Sequence, residues 1–449
     1  MKQLPYVDLR IINAHILIGD KIVDGGVSIN GGKIAKVGKE PNLQPAEITL
    51  DAEGMLLLPG AIDAHVHLRD FELSYKEDII SGTCAAAHGG VTTVLDMPNT
   101  KPPLTTPGRV RKRIDLIKRK ALVNVGIFAG FPRDLSSIHE FATMGVVGIK
   151  VYLNHPLEGE DIGNLEVIKA LFSHAALCGI LIAVHPEDFI ILEKNSEKYS
   201  DISDDLERFL LVHSKDAEIS AIKKCVKICA KTGVHLHFCH VSSAEGITEI
   251  KRVKDKIRVS AEVTPHHLFL NKKAYEKWGA IAKTVPPLRD KRDNIELLRA
   301  IASKIADIIA SDHAPHTLEE KNLPFEEAAA GIPSLDIFYP LILTYCEKLG
   351  LSYVKVIDSV TRRPAKIFGL SNKGIIGSGY DADIVLLDKN AERRVRPENF
   401  FSKAKYSPFE GSILRWIPKV TIVNGKIVFE GEDIVGSPGT GAYCRCYRQ

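Results

Sequence analysis

The chain has 449 residues, 45% of them hydrophobic and 26% charged, with a formal net charge of +3. That length holds one large domain with an accessory one, or two domains, and the composition is that of a globular protein rather than a fibrous or disordered chain. The near-balance of charge gives no footprint for nucleic acid or an anionic membrane, no apolar run reaches membrane-spanning length, and the first residues carry no apolar leader core, so a cytoplasmic protein is expected.

The first 58 residues read as short strands. Val7-Asp8-Leu9-Arg10-Ile11-Ile12 is followed by Gly26-Val27-Ser28-Ile29, a turn at Asn30-Gly31-Gly32, and Lys33-Ile34-Ala35-Lys36-Val37, a strong hairpin pattern. From 59 to 372 apolar runs at 61–68, 93–97, 123–129, 148–153, 180–185, 235–241, 257–263 and 307–311 alternate with amphipathic stretches such as 108–120, 165–177, 217–231 and 295–304. Eight strands separated by helices predict an α/β fold, a (β/α)8 TIM barrel over 59–372. After 373 the style of the opening returns in Ala382-Asp383-Ile384-Val385-Leu386-Leu387, Lys419-Val420-Thr421-Ile422-Val423, a turn at Asn424-Gly425, and Lys426-Ile427-Val428-Phe429. The two β-rich ends, 1–58 and 373–449, predict one small β-sandwich domain assembled from both termini. Eight cysteines are too sparse for a disulfide scaffold, and the Cys444-Arg445-Cys446 run is expected to expose its thiols.

In such a barrel the chemistry sits at the C-terminal ends of the strands. On an extended strand His65, His67 and Arg69 share a face; two neutral imidazoles suit a divalent transition metal, and the arginine fork suits a carboxylate. Alone, the pair is better explained by a half-buried polar strand, since two histidines cannot complete a four-ligand site. Later strand ends add Asn99, Lys150, His185, Cys239-His240, Glu262 with His266-His267, and Ser311-Asp312-His313-Ala314-Pro315-His316. His65, His67, His185, His240 and Asp312 are five candidate ligands, more than one tetrahedral zinc needs, and they predict two metals about 3.5–4 Å apart. For Lys150 two readings stand side by side: an amine that has taken up CO2 as a metal-bridging carbamate, or an ammonium paired with a carboxylate.

These runs, with Met97-Pro98-Asn99-Thr100, Gly148-Ile149-Lys150-Val151-Tyr152-Leu153-Asn154 and Ser407-Pro408-Phe409-Glu410-Gly411, resemble the lysine-containing dihydroorotases of the metal-dependent amidohydrolase superfamily. The resemblance implies two zinc ions held by His65, His67, carboxylated Lys150, His185, His240 and Asp312, with Asp312 also as general base and acid. It implies that Arg69, Asn99 and His316 bind the substrate carboxylate, and that Cys239 and Glu262 hold an additional zinc. It further implies a small-molecule substrate, a homo-oligomer, and aspartate transcarbamoylase as a candidate partner. Two stretches depart from the family pattern. Lys283-Thr284-Val285-Pro286-Pro287 lacks the Asn or Arg found at its Pro-Pro, and Asn154-His155-Pro156-Leu157 replaces a Thr-Phe loop. The rival readings are an allantoinase or hydantoinase, which share the metal motifs, and an inactive homologue that scaffolds aspartate transcarbamoylase.

Overall fold

The computed structural model describes residues 6–446; the first five residues, part of the stretch read as free of a leader core, lie outside it. Five strands come first: β1 (Val7–Ile18), β2 (Lys21–Asn30), β3 (Lys33–Gly38), β4 (Ala46–Asp51) and β5 (Leu56–Pro59). β1 buries alternate residues, as period-2 patterning requires, but it bends midway. Asn13 takes a left-handed φ of 53°, and the register to β2 shifts between Ile11 and Ala14. The bend lets one strand serve two parallel partners, β4 along its first half and β5 along its second.

Eight parallel strands follow in chain order: β6 (Ala61–Val66), β7 (Val91–Asp96), β8 (Asn124–Gly130), β9 (Gly148–Tyr152), β10 (Ile182–His185), β11 (Leu236–Phe238), β12 (Val259–Val263) and β13 (Ile308–Ile309). Each is buried almost throughout, as strands covered by helices on one side and a barrel interior on the other must be. The ring closes between β13 and β6, where the His67 N–H donates to the His313 carbonyl at 2.9 Å and the Ser311 N–H to the Asp63 carboxylate at 2.9 Å. Burial raises the Asp63 carboxyl to about 6, against the Ser311 hydrogen bonds that favour its ionised form. Helices occupy Pro107–Lys120, Leu165–Leu177, Lys215–Thr232 and Lys291–Ala302, where amphipathic stretches are predicted. No helix among the described residues is long and apolar enough to cross a membrane.

After the barrel come β14 (Ile384–Asp388), the short pair β15 (Arg393–Arg394) and β16 (Ile413–Leu414), then β17 (Ile417–Val423), β18 (Lys426–Glu430) and β19 (Asp433–Ile434). β14 pairs antiparallel with β5, so the termini build one nine-stranded sheet in the order β19-β18-β17-β14-β5-β1-β2-β3, with β4 beside β1. Residues from both halves, among them Ile11, Ile29, Leu57, Ile384 and Ile422, close on one interior. The β17–β18 hairpin turns at Asn424 and Gly425, both at positive φ, as two-residue hairpin turns require. Residues 389–416 leave this sheet and run across the barrel, where Phe400, Phe409 and Leu414 pack with Ile337 and Leu341.

The C-terminal segment corrects one expectation. Residues 439–446 return to the N-terminal end of the barrel, and the Val125 N–H and carbonyl are met by the Ala442 carbonyl and the Cys444 N–H, each at 2.9 Å. Cys444 is not an exposed thiol: it packs with Ile62, Leu95, Phe128, Phe368 and Leu370 as part of the barrel floor. Its neighbour Cys446 is half-buried. The apolar partners lie far away in sequence, which a local Cys-Arg-Cys pattern does not reveal.

Candidate metal centre

β6 stops at Val66, two residues short of the expected run, and the chain then passes through three consecutive residues at positive φ, Arg69, Asp70 and Phe71. Two more non-glycine residues at positive φ, His240 (33°) and Asp312 (48°), stand at the ends of β11 and β13. Strained backbone of this kind persists only where its surroundings over-determine it. Here buried carboxylates do so. Asp96 accepts the Leu68 N–H at 2.9 Å and a two-pronged Arg113 guanidinium at 2.6 and 2.9 Å, while Asp70 takes the Phe71 N–H at 2.7 Å and Lys120 at 3.1 Å.

The strand ends bring the candidate ligands together. Asp312 Oδ1 lies 3.3 Å from His65 Nε2 and 3.1 Å from His67 Nε2, and donor atoms of these three buried residues lie within 4.8 Å of one another. The His65 ring is 5.2 Å from that of His240, which is 4.6 Å from that of His185. Carboxyl and amide oxygens behind the ring fix three of the imidazoles. His65 Nδ1 meets Glu262, His67 Nδ1 donates to Asn99 Oδ1 at 2.6 Å, and His185 Nε2 donates to Glu187 Oε2 at 2.6 Å. Each contact commits one ring nitrogen as a donor and leaves the other free for a metal. His240 Nδ1 is buried without a partner.

Lys150 is fully buried, and its Nζ has no hydrogen-bond partner. It lies close enough to His65, His185 and His240 to lower their basicity, and 5.0 Å from the Tyr152 ring. The alternative in which it pairs with a carboxylate is not what the structure contains. An orphaned amine buried among imidazoles fits a side chain whose partner comes from outside the chain.

Burial pulls His67 down to about 4 and His240 well below its ordinary value, so both are neutral, as ligation requires. Burial also works against a charge on His65, yet Glu262 and Asp312 raise it to about 10. Burial opposes ionisation of Asp312 too, but the neighbouring His65, His67 and His240 hold its carboxyl well below the usual range. Carboxylates on both sides of the His65 ring supply negative charge that a bound cation would balance. His65, Cys239 and Glu262 form a second donor group within the same 4.8 Å limit, where the additional zinc is expected. Glu262 already serves His65, His237 Nε2 at 3.1 Å and the His240 N–H at 3.1 Å.

Beside this cluster stands a buried arginine, next to a Lys76–Glu320 ion pair. Arg69 is 7% exposed, its Nε has no partner, and no carboxylate pairs with it among the described residues. Its Nη2 is 3.3 Å from His316 Nε2, and Lys76 Nζ is 3.2 Å from His316 Nδ1. Burial first, then Arg69 and Lys76, keep His316 neutral. Asn99, the third residue expected at the substrate carboxylate, has its oxygen on His67 and stands behind a ligand. Sequence reasoning passed over Glu187, which bridges His185 to His213 Nδ1 at 2.9 Å, and Tyr152 and Asn154, whose buried Oη and Oδ1 lack partners. For Tyr152 and Asn154 the signal was present, because they alternate with Lys150 along and just past β9.

A closed parallel barrel with four histidines, an aspartate and an orphaned lysine at its C-terminal rim defines the amidohydrolase class of enzymes. The profile of the Amidohydrolase family matches residues 56–428. A dihydroorotase of Pyrococcus abyssi is 37% identical over 95% of this chain and 96% of its own. A dihydroorotase of Methanosarcina acetivorans is 33% identical over 97% and 95%. Among solved structures, the L-hydantoinase (dihydropyrimidinase) of Arthrobacter aurescens superposes with a TM-score of 0.94 at 27% identity, covering 98% of this chain and all of that one. The chain belongs to the amidohydrolase family, and within it to the dihydroorotases.

Proposed function

We propose that this enzyme interconverts N-carbamoyl-L-aspartate and L-dihydroorotate, the ring-closing step of pyrimidine (UMP) synthesis, using two zinc ions. The observation that carries the reading is Arg69, a buried guanidinium with no carboxylate of its own, beside His316 at the edge of the ligand cluster. A cation left unpaired in the interior needs an anion from outside, and a carboxylated ring supplies one. The zinc ions would be held by His65, His67, His185, His240, Asp312 and a carboxylated Lys150. When bound, they would polarise the ring carbonyl and provide hydroxide at neutral pH.

The chain's own residues do the rest. Arg69 and His316 orient the ring through its carboxylate. In the hydrolytic direction Asp312 takes the proton released as water adds to the carbonyl carbon, and delivers it to the amide nitrogen as the carbon–nitrogen bond breaks. Ring closure runs the same steps backwards. Asn99, Glu187 and Glu262 keep the imidazoles in the tautomer that ligation needs.

Backbone likeness to hydantoinases makes an uncharged cyclic amide the second reading. Both are tested by supplying zinc and bicarbonate and measuring ring opening of L-dihydroorotate, hydantoin and allantoin separately. Selective opening of dihydroorotate is expected; opening of hydantoin or allantoin alone would overturn the substrate while keeping the site. Asp312→Ala should lower kcat by a factor of roughly a thousand or more while leaving the fold intact by circular dichroism. Activity within tenfold of wild type would remove Asp312 from the proton-transfer role.

A further inference from the structure

His316 reaches Arg69 from a loop whose apolar anchorage, Phe325 against Phe209 and Tyr275, lies nine residues further on. After Ala314 the chain makes one short helix, Leu318–Lys321, and runs on to Gly331 with Leu318 and Leu323 exposed. Buried polar groups hold it. Lys321, 1% exposed, donates from Nζ to the carbonyls of Ala329 at 2.8 Å, Gly331 at 3.1 Å and Lys283 at 3.4 Å. Three acceptors call for three N–H donors, which only the ammonium has. Burial and the nearby Lys283 pull its pKa down to about 7, the opposing cost of keeping a cation there.

Tyr406 enters from the other side, on the 389–416 excursion of the terminal domain. Its hydroxyl donates to the Gly331 carbonyl at 3.1 Å and receives the His316 backbone N–H, and its ring lies 5.3 Å from Lys321 Nζ. Gly331 is pressed so close that a Cβ there would meet the Ala314 carbonyl oxygen at 2.2 Å and His316 Cδ2 at 3.0 Å. A shift of Gly331 is therefore a shift of the His316 ring. The Lys321 charge is also felt at His316.

We infer that Tyr406 and Lys321 are positioning residues for the substrate carboxylate: they fix Gly331 against His316 and so set the spacing of the Arg69–His316 pair. The inference rests on reading that pair as the carboxylate subsite. It assigns the terminal domain a part in substrate selection, since Tyr406 belongs to a segment that departs from the terminal sheet.

The test uses full-length, zinc-loaded enzyme with Tyr406→Phe and Lys321→Met. The first removes one hydroxyl and keeps the ring, so it remains informative if the second does not fold. KM for L-dihydroorotate should rise about tenfold, the scale of one lost hydrogen bond to a charged network, with kcat within about threefold of wild type. The inhibition constant of orotate should rise in parallel and that of uncharged dihydrouracil should not. Amide exchange across 313–331 should quicken while that of the barrel strands stays constant. Unchanged KM and orotate binding in folded variants would overturn the inference, as would equal losses for orotate and dihydrouracil, which mark a general structural role. If the wild-type enzyme does not open dihydroorotate, the proposed activity fails separately. The exchange measurement then decides alone: faster exchange at 313–331 in Tyr406→Phe supports the positioning role, and unchanged exchange rejects it.

Discussion

At the scale of single residues, three of the candidate ligands, His65, His67 and His185, have a second partner behind the ring. Glu262 is the clearest case, a fully buried carboxylate that meets His65, His237 and the His240 N–H at once. Glu262→Gln keeps the shape but weakens its grip on the His65 ring, and zinc affinity should fall about 10–100-fold in a competitive chelator titration. Lys150 makes a different demand. With ¹³C-bicarbonate the wild-type enzyme should show a carbamate carbon resonance that is absent from Lys150→Arg; a spectrum without it in both would return Lys150 to a plain buried amine. His65, His67, His185, His240 and Asp312 are legible in the sequence because each stands at or just past a strand end, where the barrel fixes direction. His213 and Tyr406 are not, since they come from a helix end and a terminal excursion whose docking is set by contacts distant in sequence. Asn99 shows the limit within a recognised motif: the motif places it at the site, but only geometry shows its oxygen turned to His67.

At the scale of elements, periodicity locates most of the barrel and misjudges the ends. Leu165–Leu177 forms as predicted, whereas β13 is two residues long inside a predicted run of five, because the chain turns into the Asp312 loop at once. β4 and β5 are not set apart in the sequence; they exist because the Asn13 bend offers β1 to two partners. The tail is the most instructive element. Removing residues 437–449 strips Val125 and the Ala121 carbonyl of their tail partners and uncovers Phe128 and Phe368. Loss of those hydrogen bonds and of buried Cys444 should lower Tm by roughly 5 °C or more in a thermal melt. A tail deletion that melts with the wild type would mean the barrel floor is sealed without it.

At the scale of the whole molecule, barrel and terminal sheet share one apolar core. Leu56, Leu58, Val385, Val423 and Phe429 belong to the same buried cluster as Val91, Ile114 and Phe172, and Thr421 Oγ1 donates to the Ala87 carbonyl at 2.7 Å. Calorimetry should accordingly record a single cooperative transition; two separated peaks would show that the sheet unfolds independently.

The pairing of β5 with β14 carries a further consequence for biosynthesis. One half of the sheet leaves the ribosome before the barrel and the other half after it, so at 5–20 residues per second the nascent chain waits on the order of tens of seconds with the open flank of β5 uncovered. The newborn protein is thus most vulnerable to aggregation in the interval before β14 emerges, and a holding chaperone would serve it best there.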